Sequence, residues 1–238
     1  MKLFLQAFDI ILASFKSLIL WNKIIYIGKL QLLKSNSIIT YGLRKLGLSK
    51  KYLTITLAVI ILILPLFFGI YTEFLIINDF TLFTLAYLLI GFVFLLVLGK
   101  VMEHFMFKGV SKENMKQHDV INALLNKDGK TVLFIFFPLT MIMEEFIFRY
   151  YLIGFLINQL KLEIISVILI SSVIFSLYHI HIWFRFKNFK IFVAYLISSF
   201  CLGIYNGYIL LSLGIFTCII AHSILVFLLY YNLYKKLS

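Results

Sequence analysis

Hydrophobic residues occur along this chain in long blocks, and short polar segments separate the blocks. A helix that crosses a bilayer needs roughly 20 mostly apolar residues, and several blocks approach or exceed that length. These candidate spans cover residues 52–72, 80–99, 131–157, 164–182, 190–206 and 208–232. The pattern predicts an all-α fold, a polytopic transmembrane helix bundle of about six core spans without internal repeats.

The polar segments between the blocks predict how the spans are oriented. The first segment, "TEFLIIND", carries Glu73 and Asp79 and no basic residue, whereas residues 100–130 form a polar segment with several lysines. Basic loops stay on the cytoplasmic side, so we expect the first segment outside and the second inside. Later turns continue the alternation, with "YNG" as an outer turn and Lys235 and Lys236 inside. Both ends of the core are therefore predicted to be cytoplasmic, in a multi-pass protein of a bacterial cytoplasmic membrane.

The first 51 residues form a basic segment that differs from the rest of the chain. They carry nine Lys or Arg residues and one acid, Asp9. Residues 3–21 are nearly long enough to span the membrane, but their charges favour an amphipathic helix lying in the interface. We therefore divide the chain into a membrane-associated segment, 1–51, and a transmembrane core, 52–238, whose motif-bearing part covers about 131–232.

The composition supports a membrane protein and indicates which classes of partner it binds. Of the 238 residues, 63% are hydrophobic and 13% are charged, against roughly half and a quarter in an ordinary soluble domain. The net charge of +12 would suggest nucleic acid binding in a soluble protein, but most basic residues here lie between apolar blocks. We therefore expect anionic lipid head groups as partners and no nucleic acid. Cys201 and Cys218 lie in apolar blocks, where we expect neither a disulfide nor a metal site.

A few ionisable residues lie inside the apolar blocks, all in the C-terminal half of the chain. A charged side chain inside a span is costly, so it usually faces the bundle interior or a wet cavity. These residues are Glu144, Glu145, Arg149, His179, His181 and His222. Their concentration in three spans is the main functional signal in the sequence.

Helix geometry separates the roles of these residues. Glu145 and Arg149 are four residues apart on nearly the same helix face, so we expect them to pair. Glu144 is rotated from Glu145 by about 100°, which leaves it available as a general base. His179 and His181 are about 200° apart on a continuous helix, so we do not expect both to point into one site.

Glu144, His179 and His222 thus place one polar side chain on each of three spans, and two kinds of hydrolytic chemistry fit them. A glutamate and a histidine can activate water while a second histidine donates to the oxyanion. The same three side chains can instead bind a divalent metal such as zinc, with an open position for water. Spacing alone does not choose between these mechanisms. A purely structural ion pair with hydrogen-bonded core histidines is the simpler interpretation, and the coincidence on three spans argues against it.

The order and spacing of these residues resemble those of the CPBP family, also called Abi or CAAX-protease-like membrane proteins. The family's EExxxR motif, FxxxH motif and third histidine are matched by Glu144, Glu145, Arg149, Phe175, His179 and His222. The resemblance covers about residues 80–232. It implies an intramembrane endopeptidase, similar to the eukaryotic enzymes that remove the last three residues of prenylated CAAX proteins. It also implies that Phe175 packs beneath the site.

The resemblance assigns a role to each of the remaining motif residues. Glu144 and His179 would activate the water, and His222 would stabilise the oxyanion. Glu145 and Arg149 would be structural or would orient the substrate. That substrate would be a membrane-associated peptide or protein that need not be prenylated. The family has been described both as metal-dependent and as metal-free and glutamate-dependent, so zinc remains an open cofactor.

One position departs from the family pattern. Val226 stands four residues after His222, where the family has Asn or Asp as a further donor to the oxyanion. Valine cannot donate a hydrogen bond, and loss of an oxyanion donor costs about 100- to 1000-fold in rate. Asn206, in the turn predicted before the last span, is a candidate substitute.

The departure at Val226 keeps a second hypothesis open. The chain would then be a non-catalytic CPBP-like membrane protein that acts in immunity or scaffolding. A proton-coupled transporter that uses the buried carboxylates is a third and weaker hypothesis, because the sequence contains no inverted repeat.

Overall fold

The computed structural model describes residues 50–75, 80–106, 118–125 and 130–237, and every regular element in these ranges is helical. The predicted all-α class is therefore confirmed. Residues Lys51–Ser238 form one compact unit, and apart from Lys50 the elements below belong to it. The predictions for residues 1–49, including a helix over 3–21, lie outside the described residues.

Eight α-helices follow one another in the described residues. They are α1 (Lys50–Ile63), α2 (Leu82–Met106), α3 (Asp119–Leu125), α4 (Phe137–Glu145), α5 (Leu152–Asn158), α6 (Ile164–Tyr178), α7 (His181–Phe186) and α8 (Phe189–Leu237). Two 3₁₀ helices, Leu64–Phe68 and Thr72–Phe74, follow α1, and two π-helical segments, Val132–Phe136 and Phe146–Tyr151, flank α4. With the π-helical segments, α4 and α5 form one helical stretch over residues 130–158.

Three helical stretches in the described ranges are long and apolar enough to cross a membrane. They are Leu82–His104, Ile164–Phe186 and Phe189–Lys235. Large apolar side chains are exposed along these stretches, among them Leu82, Ile165 and Phe216. Because such a surface is stable in lipid rather than in water, the stretches indicate an integral membrane protein.

The first predicted span, 52–72, is shorter in the structure than in the prediction. Its apolar helix covers Tyr52–Phe68, and the α-helix changes to a 3₁₀ helix at Leu64, directly before Pro65, which has no backbone N–H. Gly69 then adopts a left-handed conformation with φ 73° and ends the helix. The predicted C-terminal boundary of this span was therefore wrong.

The last element, α8, is too long to be one straight span. Its 49 residues would extend over roughly 70 Å, more than twice the hydrocarbon thickness of about 30 Å. The Cys218 thiol lies 3.2 Å from the Asn206 carbonyl, and the Tyr195 and Tyr230 hydroxyls lie 3.2 Å apart. The two halves therefore run antiparallel, and the chain reverses at Gly214, whose φ of 78° is one that glycine favours.

This reversal corrects the predicted turn at "YNG" and with it the boundaries of the spans 190–206 and 208–232. The helix continues through Gly203 and Gly207, where small size serves close packing. A Cβ added to Gly203 would lie 2.8 Å from the Cα of Ser172, and one added to Gly207 would lie 3.0 Å from Ile168. We call residues 189–213 the first arm of α8 and residues 215–237 the second arm.

Helix α6 connects the other elements that carry the site. The Ser171 hydroxyl donates to the Phe148 carbonyl at 2.6 Å, and the Ser176 hydroxyl donates to the Leu196 carbonyl at 2.8 Å. Since Phe148 belongs to the stretch around α4 and Leu196 to the first arm, α6 packs against both. The second arm, which bears His222, joins them through the contact of His222 with the Phe175 ring of α6 and its hydrogen bond to Glu145.

The short helix α3 also belongs to the packed core, although the sequence predicted a polar loop over residues 100–130. Ile121 is fully buried in a cluster with residues of α7 and of both arms of α8: Ile182, Phe186, Ile191 and Leu233. The neighbouring Val120 packs against Phe137 and Met141. Helix α3 is therefore attached to the bundle by apolar contacts on two sides.

Candidate active site

Four of the predicted site residues form one buried polar cluster. Glu145 and Arg149 are 0% exposed, His222 is 2% and Glu144 is 6%. The His222 Nδ1 lies 2.7 Å from a Glu145 carboxylate oxygen, and the Arg149 Nε lies 3.3 Å from the other one. The predicted pairing of Glu145 with Arg149 is therefore present, and His222 joins it from the second arm of α8.

A change in helix type positions these side chains. Glu144 and Glu145 end α4, and the π-helical segment Phe146–Tyr151 begins directly after them and includes Arg149. Hydrogen bonds of the i→i+5 type widen the helix there, and such segments occur frequently at functional sites. The first π-helical segment ends at Phe136, two residues before Pro138, in accord with the altered hydrogen bonding expected near a residue without an N–H.

The two carboxylates differ in how they meet His222. Because the Nδ1–H of His222 is donated to Glu145, its Nε2 faces Glu144, at 3.9 Å from a carboxylate oxygen. That distance is longer than a hydrogen bond. Among the residues that the structure describes, Glu145 is thus held by two basic side chains, whereas Glu144 has a single long contact with one of them.

Phe175 connects the two halves of the site. Its ring is fully buried, lies 4.0 Å from the Arg149 guanidinium carbon and meets the rings of His179 and His222 edge to face at 4.9 and 5.9 Å. The contact with Arg149 is a cation–π interaction, which is strong when both groups are desolvated. Phe175 therefore packs between the charged cluster and the second histidine.

His179 lies just beyond the end of α6, in the turn before α7. Its φ of −75° and ψ of 4° leave the helix, and its Nδ1 lies 3.0 Å from the Phe175 carbonyl. Nδ1 therefore carries the hydrogen, and the lone pair of Nε2 is available. Among the described residues no hydrogen bond joins His179 to Glu144. Phe175 connects His179 to Arg149 and His222 of the charged cluster.

The same turn corrects the expectation for His181. On a continuous helix His179 and His181 would face away from each other, but α6 ends at Tyr178 and α7 begins at His181. The two imidazole rings consequently lie 5.8 Å apart, and His181 Nδ1 is 3.0 Å from the Tyr178 carbonyl. The angular prediction was wrong because it assumed an uninterrupted helix.

Tyrosine side chains that carried no signal in the sequence also lie at the site. The Tyr178 and Tyr230 hydroxyls lie within electrostatic reach of the Glu144 carboxylate. The Tyr195 ring lies nearly parallel to the His179 ring, at 6.3 Å. With 14 tyrosines in an apolar chain, no local pattern distinguishes these three from lipid-facing ones.

Asn206 and Val226, the two positions that bear on the missing donor, lie in different surroundings. Asn206 is fully buried, and its side-chain amide faces the Glu145 carboxylate. Val226 packs instead against the apolar cluster of Val120, Phe137 and Met141. Asn206 therefore adjoins the ion-paired carboxylate, not the Glu144 face of the site.

The donor set only partly matches a metal centre. Both histidines direct Nδ1 towards an oxygen and leave Nε2 available, which is typical of metal ligands. A catalytic zinc site needs three protein ligands, and in the ranges that the structure describes no three His, Cys, Asp or Glu side chains are grouped closely enough to hold an ion. The arrangement as it stands therefore does not form a three-ligand site at Glu144, His179 and His222.

Comparison with known families supports the predicted resemblance. Residues 128–228 match the model of the family described as type II CAAX prenyl endopeptidase, Rce1-like. The matched region contains every motif residue from Glu144 to His222, so the resemblance to the CPBP family is confirmed for this part of the chain. Because this is a protease family, the match supports a peptidase in general. No curated protein and no solved structure matches the chain.

Proposed function

We propose that this chain is an intramembrane endopeptidase that hydrolyses a membrane-associated peptide or protein with water activated by Glu144 and His179. The observation that carries the proposal is the difference between two adjacent buried carboxylates. Glu145 is bound by Arg149 and His222, whereas within the described residues the one ion-pair contact of Glu144 is that of 3.9 Å with His222. Glu144 therefore retains carboxylate lone pairs that can accept a proton from water.

The proposed reaction uses the side chains in their observed hydrogen-bond polarity. Glu144 accepts one proton from the water, and the Nε2 lone pair of His179 accepts a hydrogen bond from the other. The water oxygen attacks the peptide carbonyl carbon, and the carbonyl oxygen becomes an oxyanion. The C–N bond then breaks, and Glu144 returns its proton to the leaving amine, which balances the hydrolysis.

Glu145 holds His222 in this scheme. The Nδ1–H of His222 is donated to one Glu145 oxygen at 2.7 Å, and the Arg149 Nε lies 3.3 Å from the other. The Nε2 edge of His222 is therefore directed towards Glu144, where the oxyanion would form. Glu145 and Arg149 accordingly act as positioning residues for His222.

The proposed reaction contains no metal-dependent step. A divalent metal such as zinc, if bound by Glu144, His179 and His222, would supply an activated water. The described arrangement groups no three such ligands, so we propose the glutamate-dependent form. Treatment with a chelator tests this choice.

We further propose the setting in which the enzyme acts. Basic segments flank the predicted inner ends of the core, which favours a bacterial cytoplasmic membrane with both core ends cytoplasmic. Anionic lipid head groups and the substrate would be its partners, and no nucleic acid is required. Labelling of single cysteines placed in residues 107–117 and near Glu163, from either side of the membrane, tests this orientation.

The test of the proposed activity compares peptide termini in cells that express the wild type or Glu144→Gln. Both proteins must be present at equal levels in the membrane. We expect new termini with the wild type that disappear with Glu144→Gln and with His179→Ala. Glu163→Gln is the matched control, because Glu163 is an exposed glutamate directly before α6, and it should give the wild-type profile. Identical profiles for all four proteins would contradict the proposal.

A non-catalytic role is the second candidate, and the surroundings of Val226 favour it. The side chain at this position packs into an apolar cluster and leaves the site without a donor from that turn. A protein of this kind would protect cells or assemble partners equally well with Glu144→Gln or His179→Ala. Loss of that biological effect in both variants, with the proteins still folded, would exclude it.

A further inference from the structure

A chain of hydrogen bonds extends from the start of α3 to the neighbourhood of His179. The His118 Nε2 lies 2.8 Å from the Tyr230 hydroxyl, and the Tyr230 hydroxyl lies 3.2 Å from the Tyr195 hydroxyl. The Tyr195 ring in turn faces the ring of His179. We call Tyr195 and Tyr230 the hydroxyl pair.

The polarity of this chain follows from the first imidazole. The Val120 backbone N–H donates to the His118 Nδ1 at 3.3 Å, so in neutral His118 the hydrogen is on Nε2 and is donated to Tyr230. Tyr230, which accepts that bond, donates its own hydrogen to Tyr195. The Tyr195 hydroxyl oxygen therefore accepts the hydrogen bond from Tyr230, and the Tyr195 O–H can donate to another group.

The hydroxyl pair lies where the second arm of α8 passes the site. Tyr230 is eight residues after His222 and four after Val226, so all three share one side of the helix. Side chains on a helix lean towards its N-terminus, which directs the Tyr230 ring over the turn of Val226. Tyr230 and Val226 accordingly pack against the same apolar cluster.

The proposed hydrolysis needs a hydrogen-bond donor for the oxyanion, and the Nδ1–H groups of the two site histidines are already engaged. The Nδ1–H of His222 is donated to Glu145, and the Nδ1–H of His179 is directed to the Phe175 carbonyl. Val226 has no donor. In the part of the chain that the structure describes, the only hydrogen bond of the Tyr195 hydroxyl is the one to Tyr230, and this leaves its O–H available.

We propose that Tyr195 is a further catalytic residue whose O–H donates a hydrogen bond to the oxyanion, while Tyr230 and His118 are positioning residues that set its direction. This inference rests on the proposed peptidase function. No proton is transferred in the step: the developing negative charge on the carbonyl oxygen is stabilised by the Tyr195 hydroxyl until the C–N bond breaks. In the purely structural alternative, the same contacts serve only to hold α3 against α8.

Two substitutions separate the catalytic role from the structural one. Tyr195→Phe removes the terminal donor and keeps the bond between His118 and Tyr230, so α3 stays attached. Tyr230→Phe removes that bond and the orientation of Tyr195 together. The matched control is Tyr205→Phe, since Tyr205 is on the same arm as Tyr195 but donates to the Leu88 carbonyl at 2.9 Å, away from the site.

The rates are measured with the purified full-length chain in detergent, on a fluorogenic peptide that spans a cleavage junction found by the comparison of termini. For Tyr195→Phe we expect kcat to fall about 100-fold, the usual effect of losing one oxyanion donor, with KM and melting temperature unchanged. Tyr205→Phe should keep the wild-type kcat. Tyr230→Phe should lower kcat less than Tyr195→Phe, because the terminal hydroxyl remains.

A kcat of Tyr195→Phe equal to that of the wild type would overturn the inference. The contacts would then have only the structural role of holding α3 against α8. Should Tyr195→Phe fail to fold, the kcat of Tyr230→Phe decides, and a wild-type value overturns the inference in the same way. Glu144→Gln is measured alongside. Equal rates for the wild type and Glu144→Gln would show that the proposed function itself has failed, and the inference would fail with it.

Discussion

Around Glu145 the polar side chains are closely paired, whereas around Glu144, one residue earlier, they are not. His222 and Arg149 lie 2.7 and 3.3 Å from the two Glu145 oxygens, and Phe175 covers Arg149. Glu144 has a contact of 3.9 Å with His222. Both carboxylates are buried, so their partners distinguish the two regions and burial does not.

Because of this difference, we expect the region around Glu145 to stabilise the fold and the region around Glu144 to take part in the reaction. A buried ion pair with good partners is costly to break, because removal of one member leaves an uncompensated charge. A carboxylate with few partners has free lone pairs and can change its protonation state during a reaction. One rotation of about 100° along a helix is therefore enough to separate a structural carboxylate from a candidate base.

The largest expected effect comes from breaking the ion-paired region. Arg149→Met removes the guanidinium and leaves Glu145 with one partner fewer, so we expect a loss of about 3–5 kcal/mol in stability. Thermal unfolding of the detergent-solubilised protein measures it. Lys190→Met, at an exposed basic residue, should leave the melting temperature unchanged. Equal melting temperatures of the two variants would show that Arg149 has no structural role.

Replacing Glu145 and Glu144 separately by glutamine tests directly whether the two regions differ. Glu145→Gln should destabilise the fold by about 1.5–3 kcal/mol, the contribution of a hydrogen bond to a charged group, because His222 and Arg149 lose their anion. Glu144→Gln should leave the melting temperature unchanged and lower kcat on the same peptide by about 10²- to 10⁴-fold. Equal losses of stability in the two variants would show that the regions do not differ.

A smaller effect is expected at Val226, which lies outside both regions. Val226→Asn puts an amide into the apolar cluster of Val120, Phe137 and Met141, so we expect a loss of about 1–3 kcal/mol and no gain in kcat. Thermal unfolding and the peptide assay measure the two quantities. A rise in kcat would show that this position reaches the reacting carbonyl after all.

The smallest expected effect is that of removing divalent metal. In the proposed mechanism Glu144 and His179 act on water directly, so a chelator should leave kcat unchanged. The peptide assay with and without the chelator, followed by addition of zinc, measures this. Loss of activity with the chelator and its return with zinc would replace the glutamate-dependent mechanism by a metal-dependent one.

The pattern of apolar blocks predicted the helical class and most of the helical stretches, because a bilayer requires long runs of apolar residues. It misplaced the reversal in α8. Gly207 and Gly214 are both glycines between apolar runs, and "YNG" has the local composition of a turn. The choice depended on which glycine packs against a neighbour, and Gly207 packs against Ile168.

For the site, the sequence predicted the local pairing but not the contacts between distant segments. The spacing of Glu145 and Arg149 indicated their pairing, because residues four apart are neighbours on any helix. The contact between Glu145 and His222 joins residues 77 positions apart, and no local rule predicts it. The break after Tyr178 likewise brought His179 and His181 together against the angular estimate.

By itself the sequence determined that this chain forms membrane helices and that three of its stretches carry the ionisable residues of a CPBP-like motif. Those properties depend on composition and short-range spacing, which are local. Only the tertiary structure decided which carboxylate is paired, where α8 reverses, and that His118, Tyr230 and Tyr195 form one hydrogen-bonded chain near His179. These outcomes depend on packing between distant segments, where a few ångströms separate a hydrogen bond from a van der Waals contact.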